Sequence, residues 1–151
     1  MWVQRGGPPD KPVIYFHYDS SRSASVASSL LQDFGGTVMS DGYEAYRQVA
    51  AQGSFIHLCC WAHARRKFVD AKNAQPKGKS GRADKALAFI RKLYKVETEC
   101  KEKPLLQRHE KRQAESKLVL AEFKAWLYDA QQKVAPKNTL GKAINYTLKY
   151  W

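Results

Sequence analysis

The stretch Ser40-Asp41-Gly42-Tyr43-Glu44-Ala45-Tyr46, followed by Cys60-Trp61-Ala62-His63-Ala64-Arg65-Arg66-Lys67-Phe68, decides how this chain is read. Thr37-Val38-Met39-Ser40 has the character of a short strand, and Asp41-Gly42 turns the chain at its carboxyl end. Tyr43, Tyr46, Val49 and Ala50 then define one face of a helix ending at Gly53. Phe55 to Cys60 is another apolar run of strand length, and it leads straight into a helix from about Trp61 to Asn73. That helix carries His63, Arg65, Arg66 and Lys67 in its first two turns. A carboxylate at a strand end can hold a hard cation, and a basic helix start can hold phosphates. Together they point to metal-dependent nucleic-acid chemistry.

Upstream, Trp2 to Arg5 and the β-branched and aromatic run Val13-Ile14-Tyr15-Phe16-His17-Tyr18 flank a Gly- and Pro-rich turn, the pattern of a hairpin. Val26, Leu30 and Phe34 recur at spacings of four in a helix that Gly35-Gly36 stops. Strands and helices alternate to this point, which implies an α/β layer arrangement with the later strands parallel. The character then changes. Residues 75–83 form a polar, cationic loop, expected to be exposed and mobile. A helix over Asp84 to Lys103 with Leu87, Ile90 and Tyr94 aligned is expected next, then one long helix over Leu105 to Val134. Leu140, Ile144, Leu148 and Trp151 trace the apolar face of a last helix. The expected organisation is therefore an α/β core over 1–74, the loop over 75–83, a helical insertion over 84–135, and a helix over 136–151 returning to the core.

The 151 residues can bury one core of ordinary size. With 26 Lys and Arg against 14 Asp and Glu the net charge is +12, which favours a polyanionic partner. No apolar run approaches the roughly 20 residues of a spanning helix, and the start of the chain lacks the apolar core of a signal peptide. Three cysteines, two adjacent and one distant, make no disulfide framework, so a reducing cytoplasm is the default setting.

Asp41 has an ordinary role open to it. Asp41-x-x-Glu44 has the form of a capping box, and taken alone the residues favour a cap over a metal ligand. The functional alternative places the carboxylate at the carboxyl end of a strand, where open α/β sheets put their ligand sites, ready for Mg²⁺. Cations at the start of a helix oppose its dipole, so an anion that compensates Arg65, Arg66 and Lys67 is a reasonable partner. Trp61, at the strand-to-helix junction beside His63, is a candidate for stacking on a base. Zinc held by His57, Cys59, Cys60 and His63 is disfavoured, because alternate strand residues point to opposite faces.

With these residues in hand, the chain resembles the transposases of the insertion-sequence-66 family. The resemblance rests on Tyr18-Asp19-Ser20-Ser21-Arg22-Ser23, Leu31-Gln32-Asp33-Phe34-Gly35-Gly36, Ser40 to Tyr46, Cys60 to Phe68, and Leu140 to Trp151. It implies an RNase H-like mixed sheet with flanking helices, here incomplete, and a DDE-type enzyme that cleaves and joins DNA with two Mg²⁺ ions. On that resemblance Asp41 matches the second of three catalytic, metal-binding acids. Trp61, His63, Arg65, Arg66, Lys67 and Arg22 become candidate contacts to DNA, whether transposon end or target.

The resemblance places the first acid on a strand before Trp2 and the third, a glutamate, on a helix after Trp151. The chain is therefore expected to be an internal fragment, inactive alone, with one Mg²⁺ ligand. Its unpaired sheet edges imply marginal stability, self-association, or assembly with intact transposase subunits. Two other functions remain open. One is a non-catalytic DNA-binding accessory module acting through the basic helix; the other is a helical protein that interacts through Asp84 to Val134.

Overall fold

The computed structural model describes residues 1–8, 10–53, 55–76, 78 and 80–151. It is a mixed α/β structure that divides into two compact units, Met1–Cys59 and Cys60–Trp151.

In the first unit, strands β1 (Trp2–Gly6) and β2 (Val13–His17) form an antiparallel hairpin with Trp2 opposite His17 and Gly6 opposite Val13. Helix α1 (Ala24–Leu31) leads to β3 (Thr37–Ser40), and helix α2 (Glu44–Ala50) connects β3 to β4 (Ile56–Cys59). Strands β3 and β4 are parallel, with Thr37 opposite Ile56 and Ser40 opposite Cys59. The hairpin and the parallel pair are separate two-stranded sheets.

The core between these elements is small: Trp2, Ala27, Leu31, Ala45, Val49 and Phe55 are buried together. Trp2 is its largest side chain. Its indole lies 6.2 Å from the Tyr43 ring and 5.9 Å, edge-on, from Tyr46, and its Nε1–H donates to the Ser21 carbonyl at 3.3 Å. Across β3 and β4, Ser40 Oγ and His57 Nε2 are hydrogen-bonded at 2.8 Å. The same Ser40 oxygen accepts the Gly42 N–H at 3.3 Å. On the outer strand Val13, Ile14, Tyr15 and Phe16 are all exposed, so both faces of β2 are apolar and wet.

The second unit is all helical: α3 (Trp61–Asn73), α4 (Arg82–Cys100), α5 (Leu105–Lys111), a π-helical turn (Arg112–Ser116), α6 (Lys117–Lys133) and α7 (Thr139–Lys149). Phe68, Ala86, Ile90, Phe123, Leu127, Ala130, Ala143 and Ile144 form its core. Phe123 is the hub. Its ring stacks on Phe89 at 5.0 Å and contacts Trp61, Phe68, Trp126 and Trp151 at about 6 Å. Asn138 caps α7 by accepting the Gly141 N–H at 2.6 Å, and Gly141 must be glycine because a Cβ there would lie 2.2 Å from the Ala135 carbonyl oxygen. Outside the core, Arg112 forks onto Glu97 and Lys111 bridges Glu99 and Glu115, all at the surface.

The structure differs from the sequence expectations in four places. The compact units divide at Cys59–Cys60 rather than after residue 74, because Ala64, Phe68 and Ala71 pack α3 onto α4 and α7. Helix α4 buries Ala83, Ala86, Ile90, Leu93 and Val96, which leaves Tyr94 on its exposed side. The helix expected over Leu105 to Val134 is interrupted by the π-helical turn. In the loop over 75–83, Lys77 and Lys79 lie outside the described residues, while Gln75 and Gly81 are tied to the Asp84 carboxylate at 3.1 and 2.9 Å. Lys72 reaches the same carboxylate at 2.8 Å, and these bonds, that of Lys72 foremost, hold it well below the usual carboxylate range.

Two outcomes follow from this packing. Phe123→Ala removes the hub ring and is expected to cost about 3–5 kcal/mol in chemical denaturation of the helical unit. Burial pushes the His57 imidazole below its ordinary value of 6.5. The ring is then neutral in both states above that pH, and below it the unfolded chain binds the proton first, so stability is lost as pH falls through about 6.5. An NMR titration of the ring is expected to give a midpoint below 6.5; a midpoint above it contradicts the burial.

Candidate metal ligand and nucleic-acid interface

Asp41 follows the last residue of β3 and starts the turn into α2. Its Oδ1 accepts the Tyr43 N–H at 2.9 Å, two residues on, and Gly42 takes a left-handed φ of +82°. Tyr43 is the residue that precedes the first turn of α2, so Asp41 stands one step outside the helix and the Asp41-x-x-Glu44 capping box does not form. Glu44 pairs instead with Arg47. The carboxylate is thereby left at the strand end as an exposed group.

A cleft of about 250 Å³ opens there, lined by Met1, Trp2 and Val3 of the β1 end, by Met39, Ser40 and Asp41 of the β3 end, and by Arg22, Tyr43 and Tyr46. Arg22 is held over it from two directions: its guanidinium carbon lies 5.2 Å above the Tyr43 ring, and the Tyr43 hydroxyl donates to the Arg22 carbonyl. The structure thus brings Arg22 and Asp41, proposed from separate motifs, to one cleft. Burial raises the Tyr46 phenol, and the negative Asp41 nearby raises it further. Among the described residues no group of three or more His, Cys, Asp or Glu side chains converges to hold a metal ion, at Asp41 or at His57, Cys59, Cys60 and His63. Asp41 can supply one hard oxygen ligand, whereas Mg²⁺ requires six in near-octahedral array, so these residues do not by themselves fit a resident Mg²⁺.

The remaining candidates lie in the second unit, on α3. Trp61 is half-buried there, stacked on Phe123 at 6.0 Å and edge-on to Trp151 at 5.7 Å, so its ring is engaged within the helical core. His63 is partly buried, and its Nδ1 is enclosed without a hydrogen-bond partner. Arg65, Arg66 and Lys67 are exposed. Arg65 lies close enough to the Tyr94 phenol to offset part of the rise that burial causes in it. Lys67 reaches across to α7, where its Nζ sits 4.5 Å from the centre of the Tyr146 ring.

Charge is divided unevenly between the units. The first holds 4 Lys and Arg against 5 Asp and Glu, a net of −1; the second holds 22 against 9, a net of +13. The whole excess of the chain therefore belongs to the second unit. Within that unit, seven of the nine acids fall between Glu97 and Asp129, and five of them, Glu97, Glu99, Glu102, Glu115 and Asp129, pair with Lys95, Lys101, Lys111, Arg112 and Lys133. Residues 130–151 contain no acid at all. The sequence reading takes α3 alone as a cationic surface, although Leu140 to Trp151 is among the motifs and its Lys142, Lys149 and lack of any acid are visible there.

No helix among the described residues is long and apolar enough to cross a membrane. No solved structure matches the chain. Three curated proteins of Sinorhizobium fredii do. The uncharacterized protein y4jD is 34% identical over 149 residues, covering 95% of this chain and 29% of that protein. The uncharacterized protein y4qI is 31% identical over 150 residues, covering 94% and 27%, and y4hP is 25% identical over 153 residues, covering 93% and 28%. The chain thus spans less than a third of the length of these relatives. The family model of the IS66 transposases matches residues 1–151, and the chain belongs to that family.

Proposed function

We propose that this chain is the part of a DNA transposase that contributes one metal-binding acid, Asp41, and a cationic helical surface for DNA, and that it does not cleave or join DNA by itself. The observation that carries this is the position of Asp41 at the carboxyl end of β3, on a cleft between two half-sheets, in a chain matched throughout by a transposase family. Strand β1 is paired with β2 and β3 with β4, and the ends of β1 and β3 both line the cleft. That arrangement suits an RNase H-like sheet awaiting its central strand, which in the complete enzyme brings the first acid beside Asp41.

In a complete DDE-type site Asp41 would be one of the acids holding two Mg²⁺ ions, which would supply Lewis-acid activation of the attacking oxygen and stabilisation of the leaving one. The residues of this chain have narrower roles. Asp41 offers an oxygen ligand, its direction fixed by the Tyr43 N–H and the Gly42 turn. Ser40, bonded to His57 and Gly42, holds the strand end that carries it. Arg22, at the same cleft, provides positive charge for a phosphate. Arg65, Arg66 and Lys67 give phosphates a second set of contacts on the helical unit, whose net charge of +13 draws DNA over a long range. The protein acts in the cytoplasm, and the free strand edges favour self-association or assembly with complete transposase subunits.

A non-catalytic DNA-binding module is the alternative, and the charge segregation favours it equally. The test separates the two by chemistry. Purified chain is expected to bind DNA with a steep salt dependence, and Arg65→Ala with Arg66→Ala to make the slope of log K against log salt shallower by roughly 2. With Mg²⁺ or Mn²⁺ it is expected to leave supercoiled DNA intact. Metal-dependent nicking that is lost in Asp41→Asn would overturn the claim that the chain does not cleave DNA by itself, and a salt-independent affinity would remove DNA as its partner.

A further inference from the structure

Helix α7 carries a stripe that the transposase motifs leave without a role. Lys142 precedes Tyr146 by four residues, Lys149 follows it by three, and Tyr150, which ends the helix, follows it by four, so all three neighbour Tyr146 on one side. The opposite side, with Ala143, Ile144 and Thr147, is buried against the core. The Tyr146 and Tyr150 rings lie 4.8 Å apart at 58°, both half-exposed. Lys67 of α3 sits 4.5 Å from the Tyr146 ring centre and Lys149 sits 5.0 Å from that of Tyr150. Two aromatic rings are therefore bracketed by ammonium groups on a segment that has no acid from residue 130 onward. The ion pairs of the unit lie elsewhere, along α4 to α6 and between Lys72 and Asp84.

This composition selects among polyanions. Lysines alone serve a duplex, whose phosphates are exposed and whose base faces are covered by their neighbours. Half-exposed tyrosine rings among those lysines add affinity only where base faces are open, and stacking of that kind does not depend on sequence. We infer that the Tyr146–Tyr150 stripe, flanked by Lys67, Lys142 and Lys149, is a binding site for single-stranded DNA, with bases against the rings and phosphates against the lysines. This rests on the reading of the helical unit as a DNA-holding surface and adds the form of DNA that it holds. The site lies within the second unit and is assembled by the packing of α3 on α7.

The test uses the full 151-residue chain with a labelled oligothymidine and, separately, a labelled duplex of the same length, read by fluorescence anisotropy at fixed salt. Tyr146→Ala is expected to weaken oligothymidine binding roughly tenfold while changing duplex binding less than about twofold. Tyr146→Phe keeps the ring and is expected to restore binding. Tyr150→Ala, near the helix end, should repeat the effect of Tyr146→Ala with the helical circular dichroism unchanged, which excludes unfolding as the cause. Equal loss on both probes, or loss with Tyr146→Phe as large as with Tyr146→Ala, overturns the stacking site while leaving DNA binding in place. Failure of the unmodified chain to bind either probe at low salt overturns the stacking site and the DNA-holding surface together.

Discussion

A β-strand has two hydrogen-bonding edges, and β1 and β3 are each joined to a strand on one side. Their ends line a common cleft, and Asp41 stands on it. Most of what is distinctive in the first unit follows from that arrangement. Its core is limited to six buried residues, three of them alanine-sized or valine, because two narrow sheets offer little surface for α1 and α2 to cover. Trp2 supplies the bulk that a wider sheet would provide, wedged against Tyr43 and Tyr46 and anchored to the Ser21 carbonyl. The exposed run Val13 to Phe16 belongs to the same picture: a strand apolar on both faces is suited to burial on both, and here it has neither face covered.

The second unit is built on a different principle. Its stability comes from ring-on-ring packing around Phe123, which needs no contribution from strands and brings α3, α4, α6 and α7 into one core. Its charge is arranged so that five of the seven acids between Glu97 and Asp129 are engaged with neighbouring cations. Exposed pairs of that kind add little to stability. Their consequence is electrostatic: they neutralise one stretch of the surface and leave α3 and α7 as the cationic part.

Much of this was legible in the sequence, for physical reasons that differ by element. The hairpin, the parallel pair β3 and β4, and the amphipathic helices are local patterns with periods of two and three to four, and they fold as those patterns direct. The unit boundary was not legible. Helix α3 follows β4 without a break, and only its packing on α4 and on α7, the latter some eighty residues on, assigns it to the helical unit. Tyr94 shares the spacing of Leu87 and Ile90, yet the buried stripe runs Ala83, Ala86, Ile90, Leu93 and Val96, so Leu93 takes the inward position and its neighbour Tyr94 lies to one side. Asp41 shows the limit of a motif: its capping-box spacing is correct, but the left-handed Gly42 consumes one residue of the turn and moves the helix start to Glu44. The α7 stripe escaped local inspection because Lys67 joins it only after folding.

The half-sheet arrangement can be read directly from backbone hydrogen exchange over Trp2–Gly6 and Thr37–Ser40, at a concentration where the chain is monomeric. Amides that point toward β2 or β4 are hydrogen-bonded and should exchange slowly, while those on the cleft side exchange quickly, so protection is expected to alternate along β1 and β3. Uniform protection along both strands would mean that these edges are already closed within the molecule, and would contradict the account of Asp41 as one member of a site completed by a missing strand.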